Sequence, residues 1–457
     1  MPRSLLRGAP PQLDPKIWPT EASIFYTQHA ISKGMIASVE RSQVSGEISV
    51  PPSKSYTHRA IAISALGPGG SVMRPLLSAD TRATINASEA FGAQIEGEEA
   101  EISAIGVGGR PKTPENVIDV ENSGTTLRIM ASVAALTEGA VLTGDASIRR
   151  RPNGPLLRSL RDLGADAFSI KGNDCAPLVV RGRIRGGKTV LDGSVSSQFL
   201  SALLISCPLA DGDTEIEIKG DLKSRPYAEI TLEMLEEAGA RIETDFRKFF
   251  VEGGQRYDLD GYTVPGDFSS ASYLLAAAAA TGSHLTVRGL FPSKQGDSAI
   301  VAILKEMGAK ISWDQEKGDL AIEGRDLDGV EVDASLTPDL VPTIAVLGAV
   351  AKGRTVVKNA EHVRHKETDR LSAMAVELSK MGANIEERPD GLVIEGGKLR
   401  GARVSGHHDH RIVMALTVAG LAAGETRIET AESVSVSYPG FFEEMAKIGC
   451  RVEVREG

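Results

Sequence analysis

A short helix-ending phrase occurs six times along the 457-residue chain, in forms such as EAFGAQI, EEAGARI and AKIGCRV. Each copy follows an amphipathic run and contains a glycine where the helix would stop, because glycine adopts the left-handed conformation of a helix C-cap without strain. These glycines are Gly92, Gly164, Gly239, Gly308, Gly382 and Gly449. Their spacing indicates six copies of a unit of about seventy residues.

A second, more apolar helix recurs with the same period. Its predicted starts lie near Ser53, Ser123, Ser196, Ser269, Pro338 and Asp409. Alternating segments such as ARIETDFRKFFVEG, which follow the amphipathic helices, predict paired strands. A unit of this length carries enough strands to form one face of a closed domain, unlike the shorter repeats of a solenoid. The pattern therefore predicts an α/β (α+β) protein with two pseudo-threefold domains of three units each.

The repeat positions also predict the domain boundaries. We expect an N-terminal domain over residues 53–265 and a discontinuous C-terminal domain made of residues 35–52 and 266–457, with the active site in the cleft between them. Residues 1–34 contain prolines and have no periodicity, which is typical of a disordered extension or of a misassigned start.

The composition excludes several classes of function. A formal net charge of −10 argues against nucleic acid or an anionic membrane as the main partner, because both need an extended basic surface. No apolar run approaches the ~20 residues that a membrane span requires. The three cysteines, Cys175, Cys207 and Cys450, are far apart and form no Cys-x-x-Cys pair, which suits the reducing cytoplasm and offers no metal site.

Positive side chains are frequent at the predicted helix starts. They are Lys54, Arg59, Arg128, Arg151, Arg225, Arg370 and Arg411. The helix macrodipole disfavours a positive charge at that end by a few tenths to ~1 kcal/mol, so seven cases need a reason. A ligand with several negative charges, bound by helix N-termini together with Arg and Lys, would supply it. We therefore expect a locally electropositive cleft on an otherwise acidic protein.

Two further patterns have ordinary explanations. GRIRGGKT at residues 182–189 matches a phosphate-binding P-loop, but the sequence after it predicts no helix to hold the phosphate. HHDHR at residues 407–411 lacks the i, i+4 histidine spacing of a helical metal site and favours a helix start. Asp339 and Glu367 stand among cations, where they suit either proton transfer or the roles of an N-cap and a first-turn acid.

From about residue 36 to the C-terminus, the chain resembles the 5-enolpyruvylshikimate-3-phosphate synthase family. The resemblance rests on ten motifs in order: PSKSYTHRA, NSGTTLR, RRRPNGP, VSSQFLSALL, KSRPYAEIT, GDFSSASY, TPDLVPTIA, HKETDR, DHR and YPGFFE. It implies an inside-out α/β barrel fold, with three βαβαββ units in each of two domains that close over the substrates. It also implies transfer of the enolpyruvyl group of phosphoenolpyruvate to the 5-hydroxyl of 3-phosphoshikimate, with release of phosphate, in the pathway to chorismate and aromatic amino acids. A cytoplasmic monomer without cofactor or metal is expected.

The resemblance assigns roles to individual residues. Asp339 would accept the proton of the 5-hydroxyl, Glu367 would move a proton to and from the methylene carbon, and Lys54 would contact both substrates. The residues expected to bind 3-phosphoshikimate are Lys54, Ser55, Arg59, Ser196, Ser197, Gln198, Ser224, Tyr227, Asp339 and Lys366. Those expected to bind phosphoenolpyruvate are Lys54, Asn122, Gly124, Thr125, Arg151, Gln198, Glu367, Arg370 and Arg411.

Two positions depart from the family pattern. Val436 stands where many members have a lysine, so one phosphoenolpyruvate contact is absent or is supplied by another residue. His362 stands where asparagine is common. The related enolpyruvyl transferases that act on UDP-N-acetylglucosamine have a Lys-Asn pair where this chain has Lys54-Ser55, and a reactive cysteine in a mobile loop. A catalytically inactive relative is the other alternative, against which the presence of Lys54, Asp339 and Glu367 argues.

Overall fold

The computed structural model describes residues 34–457, so the predicted extension over residues 1–34, apart from Gly34, lies outside the described residues. The strands, in chain order, are β1 (Met35–Val39), β2 (Ser45–Ser49), β3 (Gly69–Met73), β4 (Gln94–Glu98), β5 (Glu101–Ile105), β6 (Ile118–Asp119), β7 (Gly139–Thr143), β8 (Asp166–Ser169), β9 (Leu178–Arg181), β10 (Gly187–Asp192), β11 (Thr214–Lys219), β12 (Ile242–Thr244), β13 (Lys248–Val251), β14 (Tyr262–Thr263), β15 (His284–Arg288), β16 (Lys310–Asp314), β17 (Asp319–Glu323), β18 (Glu331–Asp333), β19 (Arg354–Lys358), β20 (Asn384–Arg388), β21 (Gly391–Glu395), β22 (Arg403–Ser405), β23 (Thr426–Glu429) and β24 (Val452–Glu456).

The helices alternate with these strands. They are α1 (Lys54–Leu66), α2 (Ala79–Ala90), α3 (Gly124–Ala134), α4 (Gly154–Asp162), α5 (Ser197–Ser206), α6 (Arg225–Glu237), α7 (Phe268–Ala280), α8 (Ile300–Glu306), α9 (Val341–Val350), α10 (Arg370–Lys380), α11 (His410–Ala423) and α12 (Phe441–Lys447). Among these described helices, none is long and apolar enough to cross a membrane.

The strands of residues 34–457 form six four-stranded sheets with one shared topology. Their orders are β14-β3-β5-β4, β6-β7-β9-β8, β10-β11-β13-β12, β2-β15-β17-β16, β18-β19-β21-β20 and β22-β23-β1-β24. In each order the first pair is parallel and the other two pairs are antiparallel. The predicted six-unit βαβαββ architecture is confirmed.

The two helix classes behave as their sequences predict. The apolar helices are buried nearly all round, as α7 and α11 illustrate, whereas amphipathic helices such as α6 bury one face. Strands such as β15 alternate buried and exposed residues, so one face of each sheet packs on the helices and the other faces solvent. The sheets therefore lie outside the buried helices. Helices inside and sheets outside give the inside-out arrangement.

The predicted helix ends agree closely with the structure. All six repeat glycines have left-handed backbones, with φ between 85° and 109°. Ser123 caps α3 as expected, because its hydroxyl accepts a hydrogen bond from the Thr126 amide. The fourth apolar helix begins slightly earlier than predicted, since Asp267 is its N-cap. The P-loop look-alike forms no helix: its last residues belong to strand β10.

Buried hydrophobic residues form two separate cores. One core lies within residues 56–264, and the other combines residues 37–50 with residues 268–450. The chain passes twice between them, where the Ser53 amide donates to the Pro265 carbonyl at 2.8 Å and the Asp267 amide donates to the Pro51 carbonyl at 2.9 Å. This partition favours the boundaries near residues 52 and 266, which stay a prediction.

Candidate active site

One cavity is lined by residues at the starts of helices and in the turns that precede them. These residues come from both parts of the chain that form the two hydrophobic cores. The lining residues are Lys54, Ser55, Asp80, Gly124, Thr125, Arg128, Arg151, Pro152, Val195, Ser196, Ser197, Gln198, Ser224, Tyr227, Asp339, His362, His365, Lys366, Glu367, Arg370, His410 and Arg411. Every predicted site residue is in this set except Arg59 and Asn122. Of the seven predicted helix-start cations, five line this cavity, whereas Arg59 does not and Arg225 pairs with Glu229 at a partly exposed position outside it.

Arg370, the first residue of α10, holds the acidic side chains of the cavity together. Its side chain is 1% exposed and donates to three carboxylates. The distances are 2.7 Å to Asp339 Oδ1, 2.6 Å to Glu367 Oε2 and 2.8 Å to Asp409 Oδ2. Asp409 is also the N-cap of α11, so one guanidinium joins two helix starts and both predicted catalytic carboxylates.

Asp339 lies in a short 3-10 turn, Pro338–Leu340, directly before α9. Its second oxygen, Oδ2, accepts hydrogen bonds from Arg411 Nη2 and from the Tyr227 hydroxyl, both at 2.8 Å. Burial alone would raise the pKa of Asp339, but the positive charges of Arg411, Lys366 and Arg370 hold that pKa well below its usual value. Asp339 is therefore an ionised carboxylate, the protonation state that a general base requires.

Glu367 lies three residues before Arg370, the first residue of α10, and lines the same cavity. Its carboxylate pairs with Arg370 and, at 3.4 Å, with Arg151 Nη1. Burial would raise the pKa of Glu367, yet Arg151 and Arg370 keep the pKa well below normal. Arg151 comes from the half of the chain that contributes the 56–264 core, so this ion pair connects the two sides of the cavity.

Lys54 begins α1 and is paired with an acid that the sequence analysis missed. Its Nζ lies 2.8 Å from Asp80 Oδ2, and the two side chains are only 14% and 8% exposed. Asp80 is in the first turn of α2, a position where acids are ordinary, so sequence pattern did not distinguish it.

A sequence profile described as EPSP synthase (3-phosphoshikimate 1-carboxyvinyltransferase) matches residues 39–445. The chain belongs to the EPSP synthase family. Among its relatives, the 3-phosphoshikimate 1-carboxyvinyltransferase of Methanothrix thermoacetophila is 70% identical over 420 residues, which are 92% of this chain and 99% of that protein. The corresponding protein of Methanocella arvoryzae is 60% identical over 424 residues, covering 92% of this chain and all of that one.

Solved structures agree with the family and the fold. An EPSP synthase from Acinetobacter baumannii superimposes with a TM-score of 0.79 at 29% sequence identity, covering 92% of this chain and 100% of that chain. The two-domain inside-out α/β fold that the family resemblance implied is thus the fold of this EPSP synthase family member. The relatives of 70% and 60% identity are named 3-phosphoshikimate 1-carboxyvinyltransferase, which argues against the alternative of a transferase acting on UDP-N-acetylglucosamine.

Arg59 lies beneath the cavity of this EPSP synthase family member rather than on its surface. Its guanidinium donates to the carbonyls of Ser55 at 2.8 Å and Tyr227 at 3.0 Å, and to the hydroxyls of Thr231 at 2.7 Å and Ser201 at 3.1 Å. The side chain is 1% exposed. Arg59 therefore fixes the backbone of two lining residues.

Asn122 also stands behind the lining. Its amide oxygen accepts from Arg151 Nη2 at 3.3 Å, and its amide nitrogen donates to Asp145 at 2.6 Å. Asn122 thus orients Arg151, which does line the cavity. Arg128 lines it as well and donates to the Gln198 side-chain oxygen; the sequence analysis recognised it as a helix-start cation but gave it no role.

Buried histidines are the other residues without a predicted role. His362 and His410 line the cavity, and neither ring has a hydrogen-bond partner among residues 34–457. Burial lowers the pKa of His362 to about 4 and that of His410 well below the normal value, so both are neutral at pH 7. Val436, the other departure from the EPSP synthase pattern, is not among the lining residues.

We expect His362 to weaken the fold in acid. Because its pKa is lower in the folded state than the usual 6.5, the unfolded chain takes up the proton first, and stability falls as the pH drops from about 6.5 to about 4. Replacing His362→Asn should reduce this loss by roughly 2 kcal/mol between pH 7.5 and pH 4.5, measured by urea unfolding. The exposed His284→Asn is the control, and an equal acid loss in both variants would contradict the expectation.

Proposed function

We propose that this chain transfers the enolpyruvyl group of phosphoenolpyruvate to the 5-hydroxyl of 3-phosphoshikimate, producing 5-enolpyruvylshikimate 3-phosphate and phosphate. The observation that carries the proposal is the arrangement of Asp339 and Glu367, two ionised carboxylates on one buried arginine in a cavity lined by further cations. Both substrates are polyanions, which matches the positive lining. The names of the relatives support the same reaction.

In the addition step, the 5-hydroxyl oxygen bonds to C2 of phosphoenolpyruvate while the methylene carbon gains a proton. Asp339 is proposed to accept the hydroxyl proton, because its carboxylate is ionised and oriented by Tyr227 and Arg411. In the elimination step, the C2–phosphate bond breaks and the methyl group loses a proton, which restores the double bond.

Lys366 and Glu367 are proposed to carry the proton to and from the methylene carbon. Burial lowers the pKa of Lys366, which makes its ammonium a better proton donor, and Glu367 is held beside it as an acceptor. Arg151, Arg370 and Arg411 are proposed to hold the phosphate and carboxylate of phosphoenolpyruvate. With Lys54, they would stabilise the phosphate as it leaves.

Binding of phosphoenolpyruvate should also make Asp339 a stronger base. In this structure Arg370 and Arg411 both donate to Asp339 and lower its pKa. An anion bound to the same arginines offsets their positive charge, which lowers the pKa of Asp339 less once the substrate is in place. The pKa of Asp339 is therefore expected to rise when phosphoenolpyruvate binds. Base strength would then depend on the presence of the second substrate.

We propose that 3-phosphoshikimate binds at three helix starts. Ser196, Ser197 and Gln198 contact it at the start of α5, and Ser224 and Tyr227 contact it at the start of α6. Lys54 and Ser55 at the start of α1 complete the site. Arg59 is proposed to act through Ser55 and Tyr227, whose carbonyls it holds. For phosphoenolpyruvate, Gly124 and Thr125 would complete the site, and Asn122 would act through Arg151.

We further propose that residues 53–265 form one domain, that residues 35–52 and 266–457 form the other, and that the chain works as a cytoplasmic monomer. The two separate hydrophobic cores support the division. Light scattering of the purified protein at working concentration tests the monomer.

The reaction is tested by incubating the folded protein with phosphoenolpyruvate and 3-phosphoshikimate and measuring phosphate release. Release is expected only when both substrates are present. UDP-N-acetylglucosamine replaces 3-phosphoshikimate in the control reaction and should give none. A folded protein that releases no phosphate from the correct pair would contradict the proposal.

A further inference from the structure

A second cavity adjoins the catalytic one. The two cavities share Arg151, Pro152 and residues 365–367 in their linings, so they are neighbours. The second cavity is also lined by Arg150 and His408, which are exposed. It therefore lies beside the catalytic cavity, next to Arg151, and is bordered by exposed side chains.

The acids in this second cavity are already paired. Glu367 is bound by Arg151 and Arg370, and Asp369 is bound by Arg364 at 2.7 Å. These pairs cancel much of the local negative charge, and they also occupy Arg364.

Four side chains of the same cavity lack an ion-pair partner: Arg150 and Lys366 are cations, and His365 and His408 are imidazoles. Arg150, His365, Lys366 and His408 have no ion-pair or side-chain hydrogen-bond partner within the described part of the chain. On a protein with a net charge of −10, such a local excess of positive charge attracts small anions and raises their concentration nearby.

We propose that Arg150, His365, Lys366 and His408 form an anion vestibule, a docking site for a phosphomonoester or inorganic phosphate at the entrance to the catalytic cavity. The inference rests on the proposed function and deepens it, because phosphoenolpyruvate enters and phosphate leaves as such anions. The lining has no large apolar side chain, which suits a compact, fully hydrated anion rather than a larger organic ligand.

The test compares two arginine variants with the same change of charge. Arg150→Gln removes a vestibule charge, and Arg110→Gln removes an exposed arginine that lines neither cavity. At low ionic strength we expect Arg150→Gln to lower kcat/KM for phosphoenolpyruvate about threefold to fivefold, with kcat unchanged, and the difference from wild type to vanish at about 0.5 M salt. Arg110→Gln should match the wild type.

A second measurement separates the arriving substrate from the departing product. Inorganic phosphate is added as an inhibitor competing with phosphoenolpyruvate, and its inhibition constant should rise by a similar factor in Arg150→Gln if both anions use the vestibule. An unchanged kcat/KM together with an unchanged inhibition constant in Arg150→Gln, or equal changes in Arg110→Gln, would overturn the inference. Since the wild-type kcat is measured in the same series, failure of the reaction itself is seen separately.

Discussion

Replacing Asp339→Asn is expected to lower kcat by about 10²- to 10⁴-fold, the range typical for loss of a positioned general base. The amide has nearly the shape of the carboxylate but cannot take up the proton of the attacking hydroxyl. It also carries no charge, so Arg370 and Arg411 lose part of the partner that orients them. The measurement is phosphate release at saturating concentrations of both substrates.

Asp333→Asn is the matched control for this variant. Asp333 is an exposed acid in β18, six positions before Asp339, and caps a turn through the Ser335 amide. We expect it to leave kcat within a factor of about two, since surface changes usually have small effects. A thermal unfolding curve shows whether each variant is folded, and a folded Asp339→Asn protein with wild-type turnover would exclude Asp339 as the base.

Lys54→Met is the second change with a large expected effect. Methionine fills much of the same volume but lacks the ammonium that is placed to contact both substrates, so we expect kcat/KM for each substrate to fall by about 10²- to 10³-fold. The loss should appear in both constants, because one cation serves two anions. Initial rates measured while each substrate is varied in turn provide the two values.

Removing Lys54 also leaves Asp80 without its cation in a buried site, which costs stability. The double variant Lys54→Met, Asp80→Asn removes the unpaired negative charge of Asp80. It should therefore recover stability without recovering activity. Lys352→Met is the control, since its partner Asp326 is exposed and the pair contributes little. Recovery of turnover in the double variant would mean that Lys54 acts only through the fold.

The repeats made the architecture predictable because each unit contains the same local signals. Gly92 and its five equivalents end helices at positive φ, a conformation that glycine tolerates and that is therefore visible in the sequence. The cavity was predictable for a related reason: cations at helix starts are unfavourable unless an anion offsets them, so Arg370 and Arg411 stood out.

What the sequence did not reveal depends on tertiary contacts. Asp80 looks like any first-turn acid until the fold brings it against Lys54. Arg59 stands in the motif PSKSYTHRA, where the family resemblance predicts a contact with 3-phosphoshikimate. In the structure, however, its guanidinium donates to two backbone carbonyls and two hydroxyls. Three of these four partners, Ser201, Tyr227 and Thr231, are about 140 or more residues away in the chain, so no local pattern encodes them.

Strand β1 lies between β23 and β24, with Met35 opposite Glu456 and Val39 opposite Thr426. Among the strands of residues 34–457, this central strand is synthesised first and its two partners are synthesised last. The half of the chain within residues 56–264 can complete its sheets during synthesis, whereas the sixth sheet waits for the end of translation. Until then, β1 lacks the partners of both its edges, and unpaired strand edges are sites at which a nascent chain can aggregate.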